Sequence, residues 1–191
     1  MGDFAACLRF TLLPENDGQP FHQEDGDPGG ATAWGITYAT FCTWRSYCGE
    51  ARPTIDELRD ISVLERDAIY RGIFWRELSG DDLPRGVDLM VFDFAVTAGV
   101  REASRCLQRT LGFSGAALDG QIGPDTLGTT AGRSVDGLID DLARMQDAFY
   151  RTLLSFDRFG RGWGDRTTRR WTASLRMLQP APPSGAVSKE T

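Results

Sequence analysis

Between Val87 and Ala98 the chain reads Val-Asp-Leu-Met-Val-Phe-Asp-Phe-Ala-Val-Thr-Ala, which at helical spacing is apolar on nearly every face. A helix without a polar side has nowhere to meet water. The segment therefore predicts a buried central helix on which everything else must pack. Asp93 lies inside it. A carboxylate there needs hydrogen-bond donors or a raised pKa, and a structural role, capped or paired with arginine, is the first expectation.

The flanking elements follow from periodicity and punctuation. Phe4, Cys7, Leu8 and Leu12 recur at helical spacing until Pro14, predicting a first helix that ends close to Glu15. Residues 16–30 have loop chemistry, rich in glycine, proline and acids. Ala31 to Tyr38 reads as a short strand or hairpin arm. Thr54-Ile-Asp-Glu57 and Ser62-Val-Leu-Glu65 have the capping-box pattern and predict helices near 55–60 and 63–78. Glu102 to Leu111 resumes a helical pattern, and Pro124 stands at a first helical position. Leu138, Leu142, Met145, Phe149 and Leu153 mark a long amphipathic helix. Glycine and arginine dominate 158–170, and a last helical segment reaches Leu178. The tail from Pro180 has the composition of a disordered segment. The fold class is mainly α.

Composition removes several kinds of chemistry. There is one histidine, His22, whereas zinc hydrolases generally need two or more histidine ligands. No nucleophile-elbow motif accompanies it, so a catalytic triad is also disfavoured, and His22 is read as a solvated loop residue. The four cysteines (Cys7, Cys42, Cys48, Cys106) lack Cys-x-x-Cys spacing and read as reduced, mostly buried thiols. No metal or organic cofactor is expected. No apolar run approaches the roughly 20 residues that span a bilayer, and the N-terminus has no basic region ahead of an apolar stretch. Cytoplasmic synthesis without a signal peptide is the expectation. Net charge is −6, which argues against general nucleic-acid binding. Residues 144–176 are nonetheless basic, with 8 arginines against 3 acids.

The chemistry concentrates between Leu12 and Thr37. Glu15 follows an apolar run at the expected end of a helix. The negative end of the helix dipole disfavours its ionised form, and packing from Phe10, Leu12 or Leu13 would add desolvation in the same direction. Both effects suit a general acid. Asp27 lies in a Gly-rich, solvated turn where ionisation is easy, and Thr32 follows on the hairpin. A carboxyl, a carboxylate and a hydroxyl converging on one cleft are what glycosidic hydrolysis requires. Aromatics near these motifs are candidates for stacking on sugars: Trp34, Tyr38, Phe74, Trp75 and Trp163. Trp34 is preferred because it follows Thr32 on the hairpin.

Asp27-Pro-Gly-Gly-Ala-Thr-Ala-Trp-Gly-Ile-Thr37 resembles the signature of glycoside hydrolase family 108, the phage-type N-acetylmuramidases. Further similar segments are Ile69-Tyr-Arg-Gly-Ile-Phe-Trp75, Asp81-Asp-Leu-Pro84 with Val91-Phe-Asp93, and Leu107-Gln-Arg109. Asp119-Gly-Gln-Ile-Gly-Pro124 and Gly160-Arg-Gly-Trp163 extend the resemblance through the second half. The family's catalytic glutamate falls on Glu15, although here Asn16-Asp17-Gly18 follows it in place of two glycines, in a longer loop. Glu24 is a weaker alternative because it has no apolar flank. Thr97 stands where the family commonly has asparagine.

The resemblance implies a lysozyme-like helical fold with a short β-hairpin near the active-site cleft. It implies a catalytic lobe over residues 1–99 and a helical peptidoglycan-binding lobe over 100–178 packed on the first, with a disordered tail over 179–191. The implied activity is hydrolysis of the β-1,4 bond between N-acetylmuramic acid and N-acetylglucosamine, as in a phage endolysin. Glu15, Asp27 and Thr32 would be catalytic, and Trp34, Thr37 and Thr97 would bind substrate. Peptidoglycan glycan strands are the implied partner. A holin or a secretion system would bring the protein to the wall in the periplasm, without nucleic acid and without stable membrane insertion. Two alternatives stay open: a lytic transglycosylase, and a non-catalytic peptidoglycan-binding or secretion-accessory protein.

Overall fold

A computed structural model describes residues 1–14, 20–23 and 30–179. Among these the architecture is mainly α with one small hairpin, the lysozyme-like arrangement that the resemblance implies. The helices are α1 (Phe4–Thr11), α2 (Tyr38–Tyr47), α3 (Ile55–Arg59), α4 (Val63–Ile69), α5 (Val87–Ala98), α6 (Val100–Thr110), α7 (Pro124–Ala131), α8 (Val135–Arg151) and α9 (Phe156–Arg176). Strands β1 (Thr32–Ala33) and β2 (Ile36–Thr37) pair antiparallel, with Thr32 opposite Thr37 and Ala33 opposite Ile36. No helix of the described residues is long and apolar enough to cross a membrane.

Helix α5 is the expected central helix. Every residue from Val87 to Ala95 is buried, and α1, α6, α8 and α9 all pack on it. Consecutive side chains leave it in different directions. Phe92 stands edge-on to Phe4 and Trp75, with ring centroids 6.0 and 5.5 Å apart. Phe94 stands edge-on to Phe149 and Tyr150 of α8, at 5.5 Å each. Between them Asp93 turns toward α9. Its Oδ2 accepts from Arg166 Nε (3.0 Å) and Arg170 Nη1 (2.8 Å), and its Oδ1 from Arg166 Nη2 (2.7 Å) and Thr11 Oγ1 (2.9 Å). The arginine-paired reading of Asp93 is what the structure contains. At the other end of α5, Asp88 accepts backbone N–H bonds from Asp3 (2.7 Å), Gly86 (2.6 Å) and Leu89 (2.8 Å), tying the N-terminal segment to the helix start.

Gly99 ends α5 and begins α6, so the boundary expected at 99/100 is a sharp corner within packed structure. One cluster of buried side chains runs from Cys7 to Tyr150 across it. From Pro180 onward the expected tail lies outside the described residues, as does most of the loop read over 16–30.

Three elements differ from the sequence expectation. Helix α2 was not foreseen: only Phe41 is buried along it, so it carries no amphipathic stripe, and Thr37 caps it by accepting from Thr40 N at 3.2 Å. The helix expected over 63–78 becomes π-helical at Tyr70–Trp75. The wider turn accompanies burial of Tyr70, Phe74 and Trp75 against the core. Helix α9 runs unbroken through Gly160, Gly162 and Gly164. Each glycine costs a helix interior about 1 kcal/mol against alanine, which the tertiary anchors at Arg166 and Arg170 must offset. The thiols also divide: Cys7 and Cys106 are buried, Cys42 is intermediate and Cys48 is exposed, and all four are free.

Burial alone would raise the pKa of Asp93, but the charges of Arg166 and Arg170, with the hydrogen bonds from Arg166 and Thr11, hold it at about 2. A carboxylate whose folded value lies below its unfolded value, near 3.9, stabilises the fold above about pH 4 and loses that contribution as pH falls toward 2. Asp93→Asn leaves two buried guanidinium groups without their counter-charge and should cost roughly 3–5 kcal/mol at neutral pH. In denaturant melts, the gap between parent and variant should shrink by on the order of 2 kcal/mol between pH 5 and pH 2. An unchanged gap would show that the pair does not titrate as described. The glycines flanking α5 supply a second check. Both have positive φ, +89° at Gly86 and +87° at Gly99. A Cβ at Gly86 would sit 2.8 Å from Ile139 Cδ1 and 2.9 Å from the Ser174 carbonyl oxygen, whereas one at Gly99 meets nothing within 4 Å. Gly86→Ala should therefore cost roughly 2–4 kcal/mol and Gly99→Ala only about 1 kcal/mol. Equal losses would contradict that packing.

Candidate functional site

A cleft of about 260 Å³ opens where six parts of the chain meet. Thr11 comes from the end of α1, and His22 from the segment that extends the hairpin. Thr32, Gly35 and Thr37 come from the hairpin itself, and Tyr70 from the π-helical segment. Val96 and Thr97 come from the end of α5, with Trp163 and Arg166 from α9. The hairpin wall is held by backbone pairing. His22 N donates to Thr32 O (2.8 Å) and Thr32 N to His22 O (2.9 Å), so His22 acts as a third strand position. It is thus a half-buried cleft residue and not the solvated loop residue expected, because the bridge to Thr32 draws its backbone onto the hairpin.

The two turn residues of the hairpin, Trp34 and Gly35, both have positive φ (53° and 77°). That is the geometry of tight two-residue hairpins, and it is uncommon for a bulky side chain. Two contacts hold Trp34 there: its carbonyl accepts from Tyr70 Oη at 2.7 Å, and the Arg66 guanidinium lies 5.2 Å from its ring. The turn carries the Trp34 side chain away from Thr32. It lines a second, more apolar groove of about 670 Å³ with Leu8, Leu12, Leu13 and Arg66.

Of the residues singled out in the sequence, Thr32, Thr37 and Thr97 come together in the cleft. Thr32 is buried to 6% exposure, and among the described residues its hydroxyl makes a single long contact, 3.4 Å, to Gly30 O. Thr37 caps α2 while lining the cleft. Thr97 Oγ1 donates to Phe94 O (3.0 Å) and lies 2.8 Å from Tyr150 Oη. With its single proton directed to the carbonyl, Thr97 accepts from the tyrosine. Glu15 and Asp27 lie outside the described residues, as does the alternative Glu24. Their flanks do not. Thr11, four residues before Glu15, and His22, five residues before Asp27, both line the cleft.

Arg166 supplies the cleft with a cation. Burial works against its charged form, but Asp93 more than compensates and raises its pKa, so the charge is held in place. Sequence reasoning missed Thr11, Tyr70 and Arg166 as cleft residues. Only Arg166 left a trace, in the spacing of Arg166 and Arg170 on one helical face opposite a buried acid. Among the described residues no group of three or more His, Cys, Asp or Glu side chains is placed to hold a metal ion. Burial also pushes the Cys106 thiol up to about 12 and raises that of Cys7, which removes both as nucleophiles.

Residues 10–99 match the model of a family described as Glycosyl hydrolase 108. Among solved structures, that of SagA from Brucella abortus is similar over 93% of this chain and 97% of its own, with 31% sequence identity and a TM-score of 0.82. A comparison with curated proteins gave no match. The family match spans the end of α1, the hairpin and all of α5, which are the parts that build most of the cleft. With identity at this level over nearly the full length of both chains, the protein belongs to the glycosyl hydrolase 108 family and is a glycoside hydrolase.

Proposed function

We propose that the protein is an N-acetylmuramidase that hydrolyses the β-1,4 bond between N-acetylmuramic acid and N-acetylglucosamine in peptidoglycan. The observation that carries this reading is that Thr11, four residues before Glu15, and His22, five residues before Asp27, line one cleft with Thr32. In the mechanism, Glu15 gives its proton to the glycosidic oxygen as the bond to the muramic-acid C1 breaks. Asp27 and the Thr32 hydroxyl orient a water that attacks C1 from the opposite face and delivers its proton to Asp27. Thr32 suits its part because, among the described residues, its hydroxyl makes only a long contact to Gly30 O. Inversion at C1 requires the two carboxyls to stand about 6.5–9.5 Å apart.

Thr37 and Thr97 would meet substrate in the cleft, with Trp34 serving the adjoining groove. Residues 100–178 form the peptidoglycan-binding lobe of this reading. Action on the wall calls for a route across the membrane, through a holin or a secretion system. The peptidoglycan reading is favoured over other glycans by the family and by the Glu, Asp and Thr set shared with phage lysozymes.

Digestion of purified sacculi followed by mass spectrometry tests the reaction. A muramidase releases muropeptides with a hydrated reducing muramic-acid end, and anhydro-muramic products would instead establish a lytic transglycosylase. Glu15→Gln should lower the release rate by about 10²–10⁴-fold, and Thr32→Ala should lower kcat more than it raises KM. If the Gln variant clears sacculi at the parent rate, Glu15 is not the acid. If the parent binds sacculi and releases nothing, the non-catalytic reading replaces the enzyme.

A further inference from the structure

The family match ends at residue 99, but the cleft does not. Its far wall is α9, and the ring presented there is Trp163. Trp163 stacks on Tyr150 with ring centroids 5.0 Å apart and planes 17° from parallel, and Phe159 supports it from the side at 5.8 Å. Tyr150 is itself buried, and its hydroxyl donates to Thr97, so the stack is anchored to the end of α5. One turn further along α9, Arg166 is fixed to Asp93 of α5. Two separate attachments to α5 therefore fix where the indole stands. Tyr70 also lines the cleft but is fully buried, while Trp163 keeps part of its surface open.

A flat aromatic ring, braced from behind and open toward a polar cleft, suits a pyranose ring. The axial C–H groups of a β-linked hexosamine form an apolar, slightly positive face that packs on the negative face of an indole. Thr32, Thr37 and Thr97 line the same cleft and give it polar walls beside the ring. Trp34 is less suited, since its ring lies beneath Arg66 in the neighbouring groove.

We propose that Trp163 is a sugar-stacking platform of the substrate cleft. On this view the second half of the chain contributes one wall of the glycan site. The proposal rests on the peptidoglycan glycosidase reading and adds a residue and a division of labour to it.

The test uses the full chain and soluble glycan strands freed from sacculi by an amidase. In the Glu15→Gln background, calorimetric binding of these strands is compared with and without Trp163→Leu, which keeps apolar bulk against Tyr150 but removes the flat face. Binding should weaken about tenfold. In the active protein KM should rise to a similar extent, with kcat within about threefold and the thermal midpoint little changed. Trp163→Tyr, which restores a ring, should recover most of the binding. Equal binding with and without the Trp163→Leu change, no binding in either case, or a loss that Trp163→Tyr does not rescue overturns the platform. The two readings fail separately. If the parent protein cleaves nothing but loses glycan binding on Trp163→Leu, the platform stands and the hydrolase reading falls.

Discussion

A carboxylate with no exposed surface, Asp93, joins three segments that the chain otherwise keeps far apart. Thr11 reaches it from α1, and Arg166 and Arg170 reach it from α9, while Asp93 itself belongs to the most apolar helix of the protein. Burying three ionic groups is expensive, and such clusters seldom add net stability over an apolar core. Their effect is on geometry. Two guanidinium groups four residues apart can both meet one carboxylate only when α9 lies at one rotation and one height along α5. Thr11 and Arg166 both border the cleft, so its shape follows from this interaction.

The same logic extends to the rest of the site. The hairpin wall depends on Tyr70, which holds the Trp34 carbonyl and so keeps a bulky residue at positive φ. Tyr70 in turn is placed by the widened helical segment packed on α5. On the far side, Thr97 and Tyr150 connect α5 to α8 and carry Trp163 with them. The cleft thus has no element of its own. Each wall is a side branch of a contact with the central helix, and the walls come from both sides of Gly99.

Much of the helical framework was legible in the chain because its signals are local. Val87–Ala98 showed itself by lacking a polar face, Pro124 and the Thr54 and Ser62 caps marked helix starts, and the leucine ladder from Leu138 marked α8. Misses occurred where local preference is weak or contrary. Helix α2 buries only Phe41, and threonine and aromatic residues give it little intrinsic propensity. The glycines of α9 argue for a break that the anchors on Asp93 override. His22 looked solvated because a single backbone bridge to a residue ten positions away leaves no pattern in the sequence.

Taken alone, the sequence determined that the protein is mainly helical, that one apolar helix lies at its centre, and that its order of motifs is that of glycosyl hydrolase 108. Those properties depend on side-chain spacing and chemistry over a few residues at a time. Only the tertiary structure decided that Thr11, Thr32, Thr97, Trp163 and Arg166 border one cleft, and that Trp34 turns out of it. The residues of that cleft span more than 150 positions of chain. They are brought together by contacts with a buried helix, and no periodicity along the chain encodes such contacts.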